Sequence, residues 1–174
     1  SPSRGLGDVY KRQANNIETF DGASDNKTLL IDLNSRELLS ADSSDISIQT
    51  LLTNKNGSSF VSAPHHTAID VEQSDDGWGS IKLLSYVEAH QITKKVSKKV
   101  TKKVRGRNRT VTLKTDVQEN VPASFVVTTF DSSGVLIEET TLLNPADPLT
   151  YEAERLFGLD LNNCLLYTSD AADE

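Results

Sequence analysis

Nine positive side chains fall in one short stretch: Lys94, Lys95, Lys98, Lys99, Lys102, Lys103, Arg105, Arg107 and Arg109. Cations at this density do the chemistry of anion recognition. Lysine supplies a point charge, and arginine a planar fork that grips two oxygens at once. The chain as a whole is acidic, with 18 lysines and arginines against 25 aspartates and glutamates and a net charge of -7. Two readings of the basic stretch are therefore open. It is offset internally by an acidic body, or it is a site for a polyanion: nucleic acid, a sulfated or acidic polysaccharide, or an anionic lipid surface. The overall acidity favours internal compensation, because nucleic-acid modules are usually basic throughout. The stretch also lacks the aromatic side chains on which bases stack, which lowers the nucleic-acid version further.

Other chemistry is sparse. Asp160 and Asn162, within Leu159-Asp160-Leu161-Asn162-Asn163, match the first and third positions of a calcium loop, whose oxygens converge from alternate positions on one hard cation. The fifth position falls on Cys164, so the motif stops at two ligands, and calcium is expected of a longer chain rather than of this one. His65 and His66 follow Pro64 in a loop, and neighbouring residues on an extended chain point apart, which makes them a poor chelate. Asp75-Asp76 and Glu138-Glu139 are adjacent carboxylates that turns or surfaces explain. The sequence carries no nucleophile elbow, phosphate loop or dinucleotide fingerprint, so no catalytic residue is nominated and a non-catalytic protein is expected.

The basic stretch lies within Ile92–Val117, where a four-residue unit, Thr/Ser-Lys-Lys-Val, occurs three times. A spacing of four suits a helix and a strand alike, but every non-lysine position is Thr, Ser or Val, which favour the strand. A basic turn, Arg105–Arg109, follows, and then alternation through Val111, Leu113 and Val117. The expectation is a long basic β-ribbon over 92–117, projecting from the rest and contributing little to its core.

Around it the pattern is mainly β, antiparallel and rich in hairpins. Lys27–Leu33 is a short apolar strand, with Glu37–Ala41 pairing back and Ile46–Leu52 following. Asn54-Lys55-Asn56-Gly57 signals a hairpin with its return beginning at Phe60-Val61. Ala68–Val71 gives one more strand. Trp78–Val87 reads as the core strand of the first half, with Trp78 packed in the core or at its rim. Ser124–Phe130 and Val135–Leu143 flank a turn with Gly134 at the left-handed position. One short helix is legible over 148–157: Asp147 caps it, Pro148 suits its first position, Leu149, Ala153, Leu156 and Phe157 form an apolar face, and Gly158 ends it.

The two ends read differently. Asp8–Gln13 back-translates to a DNA whose reverse complement, shifted one frame, encodes Cys164–Ser169. Two protein termini have no reason to share this relation, and a transposon end in a sequencing adapter, translated at both edges of a read, has. Residues 1–13 and 164–174 are accordingly read as adapter-derived and non-native, 14–26 as a linker or the end of a preceding unit, and 27–163 as one β-rich repeat-type domain. Without Cys164 the native stretch has no cysteine, which excludes disulfides and thiol catalysis. No apolar run is long enough to span a membrane, and targeting signals lie beyond what such ends can show.

Gly77-Trp78, Phe130-Asp131-Ser132-Ser133-Gly134 in a hairpin, and Phe157-Gly158-Leu159-Asp160-Leu161-Asn162 near the end together resemble the tryptophan-rich repeat domain of large cyanobacterial and marine bacterial proteins. The likeness covers about half of the native chain. Trp78 is the only tryptophan here, and the basic ribbon looks like an insertion. The resemblance implies a β module in a long, secreted or surface protein, with neighbouring repeats as partners, a structural, display or adhesion role, and no defined enzymatic activity.

Overall fold

The computed structural model describes residues 10–12, 17–21 and 26–161. Among the described residues, eleven strands and one helix follow one another: β1 (Tyr10–Arg12), β2 (Ile17–Asp21), β3 (Lys27–Asp32), β4 (Leu38–Asp42), β5 (Asp45–Leu51), β6 (His66–Gln73), β7 (Ile81–Val87), β8 (His90–Val104), β9 (Arg107–Val121), β10 (Ser124–Phe130), β11 (Leu136–Leu142) and α1 (Pro148–Phe157). The fold is mainly β, with antiparallel sheets and one helix near the end, as the sequence pattern indicates. The chain divides into a body, residues 1–88 with 123–174, and a second unit, Ala89–Pro122.

In the body, β1 to β5 form a five-stranded meander, and a second sheet has the order β11-β10-β7-β6. Short turns make the meander, and aspartate or asparagine side chains close many of them. The Asp42 carboxylate accepts the Ser44 amide at 3.0 Å and its hydroxyl at 2.7 Å; Asp45 does the same for Ser47, and Asn56 for Ser58. A short polar side chain that binds the backbone two residues on mimics a turn of main chain. Much of the chain's wealth of Asp, Asn and Ser is used in this way. The stretch read as a linker contains β2, whose backbone pairs with β3 from Ile17 opposite Asp32 to Asp21 opposite Thr28.

The two sheets share a core made by Leu29, Leu38, Leu52, Ala68, Val71, Ile81, Leu83 and Phe130, with Phe60 set edge-on to Phe130 at 5.2 Å between ring centres. The opposite face of the second sheet buries Leu84 and Phe125 against Ala153 and Phe157 of α1. Strand β7 therefore has cover on both faces. This is why it reads as a nearly continuous apolar run rather than an alternating one. Helix α1 follows its local signals closely. The Asp147 carboxylate accepts the Leu149 amide at 2.9 Å, Pro148 takes the first turn, and Gly158 ends the helix with φ 65°.

Two expectations are corrected here. Trp78 is not part of β7 or of any core: it is 84 % exposed, at the tip of the β6–β7 loop. Gly77 and Gly79, with φ 86° and 70°, turn the chain on either side of it, and the Asp76 carboxylate holds the Trp78 amide at 2.8 Å. The Asn54–Gly57 turn forms, but it closes only a single bridge, Thr53 to Ser59, and no return strand follows. Phe60 packs against the core instead, and Pro64 and His65, the latter at φ 68°, interrupt the chain before β6.

Candidate polyanion interface

The second unit is a two-stranded ribbon. β8 and β9 pair without a break from His90 opposite Val121 to Val104 opposite Arg107. At about 3.4 Å per residue, two strands of this length extend about 50 Å. Arg105 and Gly106 alone close it, with φ 52° and 74°. Positive φ at both central residues defines the turn whose twist matches that of a hairpin. Glycine takes the conformation freely, whereas Arg105 gives up about 1–2 kcal/mol to do so. The turn is tighter than the sequence suggests, and Arg107, Asn108 and Arg109 already belong to β9.

In the body, β7 and β10 pair from Ile81 opposite Phe130 to Val87 opposite Ser124. The ribbon's ladder keeps the same count, one step back along the second strand for each step forward along the first. The ribbon is therefore inserted between β7 and β10 in the chain without shifting their register.

Because side chains alternate between faces, this register sorts the charges. One face carries Val96, Val100 and Val104 from β8 with Val111, Leu113 and Val117 from β9, interleaved with Lys94, Lys98, Lys102, Arg107 and Arg109. The other face carries Lys95, Lys99, Lys103 and Lys114 among Ser, Thr, Asn and Gln, with no apolar residue from Gln91 to Asn120. Along that polar face, Gln91 donates to Asn120 at 2.9 Å and Gln118 to Thr93 at 3.0 Å.

Acids are confined to the base of the ribbon. Lys94 meets Glu119 at 2.7 Å, an exposed pair, and Asp116 lies directly opposite Lys95. Beyond them, Lys98, Lys99, Lys102, Lys103, Arg105, Arg107 and Arg109 have no carboxylate opposite them or next to them along either strand. Lys102 even lies directly opposite Arg109, a like-charge pairing that disfavours the ladder. Of the nine predicted cations, the seven distal ones thus form one uncompensated set, while Lys94 and Lys95 have acids beside them. Lys114 adds a further cation to the polar face, two residues from Asp116. Sequence reasoning passes over it because it follows the cluster at a distance, and only the register places it across from Ser97 on the face of Lys99 and Lys103.

No protein-family model, curated protein or solved structure matches the chain. The likeness to the tryptophan-rich repeat stands on its short motifs alone.

The remaining candidates are placed as follows. Asp160 is exposed after α1, and Asn162 lies outside the described residues, as do residues 164–174. Among the described residues, no group of three or more His, Cys, Asp or Glu is placed to hold a metal, and no helix is long and apolar enough to cross a membrane. The His65 Nδ1 faces the Glu88 carboxylate at 3.1 Å, while His66 opens β6. A cleft of about 550 Å³ lies between the second sheet and α1, with Asp75, Asp76, Lys82, Thr129, Glu138 and Glu152 among its walls. Structural hydrogen bonds engage several of its polar groups. Lys82 donates to Thr129 at 2.9 Å, and Asp76 accepts the Ser80 hydroxyl at 2.6 Å and the Trp78 amide. The Ser80 hydroxyl and then the Trp78 amide hold the Asp76 carboxyl below its ordinary range. These two hydrogen bonds make Asp76 part of the β6–β7 turn.

Proposed function

We propose that the chain is a non-catalytic, β-rich module of a larger extracellular or surface protein, and that its ribbon binds a polyanion. The observation that carries this reading is the segregation of charge. Seven cations in the distal ribbon, Lys98 to Arg109, have no carboxylate beside them on either strand, although the chain holds 25 acids. A hairpin under such self-repulsion is favoured by an anionic partner that offsets the field. The exposed lysines supply attraction that follows the partner's charge rather than its sequence, and Arg107 and Arg109 add two-pronged contacts to sulfate or carboxylate groups. The absence of aromatic residues from 90–121 favours an acidic polysaccharide over single-stranded nucleic acid. A display or adhesion role in a chain of neighbouring repeats is the context that the tryptophan-rich resemblance supplies, and calcium at Asp160 and Asn162 belongs to that context as well.

Affinity for heparin measured across salt concentrations tests the reading. Binding should weaken steeply with salt, as counterion release requires. Replacing Lys98, Lys99, Lys102 and Lys103 by Gln should flatten that dependence, by about one unit of log–log slope for each lysine that pairs with the polymer. Binding that is indifferent to salt, or to this fourfold change, would remove the ribbon from the function.

A further inference from the structure

The two faces of the ribbon differ in kind, and a soluble polyanion accounts for the cations on both but not for the apolar row on one. The polar face offers lysines among hydroxyls and amides. The other sets apolar side chains between its cations, and Ile92, Val96, Val104, Leu113 and Val117 stand 37–47 % exposed there. A strand pair bathed in water on both sides gains only its cross-strand pairs from a one-sided apolar row, and much of the row stays exposed. Such a row marks a face that something covers.

The charges on that face narrow what can cover it. Lys98, Lys102, Arg107 and Arg109 lie on it without an acid, and Glu119 at the base is its only carboxylate. A second ribbon laid face to face would press like charges together. An apolar protein surface would bury cations unpaired, at high cost. A polysaccharide would satisfy the cations and leave the valines wet. A surface of anionic phospholipid meets both requirements at once. Short apolar side chains enter the boundary between headgroups and acyl chains, while the lysine and arginine stems lie along it with their charges at the phosphates. The backbone limits the depth. β8 and β9 bond only to each other, so each strand keeps an outer edge of amides and carbonyls that needs water or headgroup oxygens as partners. The ribbon can lie in the headgroup layer but cannot cross the membrane as it stands.

We propose that the Val/Leu face of the ribbon docks flat on an anionic lipid surface. This inference rests on the reading of the ribbon as an anion-binding element and names a partner for one of its faces. The full chain is tested for co-sedimentation with phosphatidylcholine vesicles, with and without phosphatidylserine, and in parallel for heparin binding. Two variants separate the faces: Val96→Ser with Leu113→Ser, and Lys99→Gln with Lys103→Gln. The chain should bind only the phosphatidylserine vesicles. The serine variant should lose at least tenfold in vesicle affinity while keeping its heparin affinity, and the glutamine variant should lose more on heparin than on vesicles. In a Trp78→Phe background, Val100→Trp should shift its emission to shorter wavelength on these vesicles and not with heparin. Heparin binding without vesicle binding would overturn the lipid face and leave the polyanion reading intact. Failure to bind either would end both. Equal vesicle binding by the two variants would reduce the effect to charge alone and overturn the proposal. A dimer in solution that the serine changes dissolve would give the face to a second copy of the chain and overturn it too.

Discussion

Gly134 offers a quantitative test of the body. It sits in the turn between β10 and β11 with φ 89°, its amide donating to the Asp131 carbonyl at 2.9 Å and its own carbonyl accepting the Thr53 amide at 2.8 Å. That second bond ties the turn to the chain just past β5, and so links one sheet to the other. A Cβ at Gly134 would press on the Leu51 carbonyl oxygen and come within 2.8 Å of Thr50 Cγ2. Neither neighbour can yield easily, since one is backbone and the other a stiff, branched side chain. Gly134→Ala therefore meets two costs. The left-handed backbone costs about 1–2 kcal/mol, and the overpacking about 1–3 kcal/mol. Reduced freedom of the unfolded chain returns about 0.4–1 kcal/mol, leaving a net loss of about 1–5 kcal/mol. Gly57 is the control, because its φ is 87° but nothing lies within 4 Å of the position a Cβ would take. Gly57→Ala should lose only the backbone part, about 1 kcal/mol or less. Urea denaturation followed by circular dichroism reads the difference. With m near 2 kcal/mol per molar, the midpoint should fall by roughly 0.5–2.5 M for Gly134→Ala and by less for Gly57→Ala. Equal losses in the two variants would refute the close approach of Leu51 and with it this junction between the sheets.

Three further outcomes are expected. Val100 faces Val111 across the ribbon, and Val100→Asp should abolish hydrogen-exchange protection over 90–121 while β7 and β10 keep theirs; unfolding of the whole chain would make the ribbon part of the core. Trp78, as the only tryptophan, should emit as a solvated indole and be quenched by acrylamide almost as readily in the folded chain as in urea; a shielded, blue-shifted emission would contradict its place at the loop tip. Stability should fall in acid. Hydrogen bonds from the Ser35 amide, the Ser44 hydroxyl and the Ser47 hydroxyl are the leading causes that hold Asp32, Asp42 and Asp45 below their ordinary range. A lowered folded pKa contributes stability above the ordinary carboxylate value, and that stability is lost as pH falls through the lowered one. Melting temperature should thus be level near neutrality and drop below about pH 4, less so in Asp45→Asn, whose side-chain oxygen remains an acceptor in acid. A melting temperature that rises on acidification would be inconsistent with these turns.

The legible parts of the sequence are those whose causes are local. Asp147, Pro148 and Gly158 mark the ends of α1 unaided, and Ser124–Phe130 announces β10 by composition. The ribbon's strands are readable for the same reason. Its faces are not, because parity decides them. A loop one residue longer sends every β9 side chain to the opposite face, and the two-residue closure at Arg105-Gly106 is what puts Lys114 on the face of Lys99. Trp78 misleads for a related reason. Its chemistry suggests a core, but two flanking glycines at positive φ lift it out, and a composition rule does not see backbone angles. Phe60 misleads in the other direction: the Asn56-Gly57 turn is local, but tertiary packing against Phe130 takes the following residue away from a return strand. Ile17–Asp21 is too short to announce itself, although Ile17, Thr19 and Phe20 favour a strand, and its pairing with β3 is what makes it one.

The shared register count of β7 with β10 and of β8 with β9 makes the ribbon's length a free variable. Val87 already faces Ser124 across the ladder, so the arm can grow or shrink without any other pairing being rewritten. Growth comes in steps. An odd number of residues added to each strand would turn the outer part over relative to the base, whereas one Thr/Ser-Lys-Lys-Val unit, matched by four residues on the returning strand, restores both faces as they were. Tandem duplication of twelve bases on each side is the smallest change that lengthens the arm by a whole unit. The threefold repeat at Thr93–Val104 is the kind of record such steps leave on one strand, and the unrepeated sequence of β9 shows that the returning strand need only keep the count.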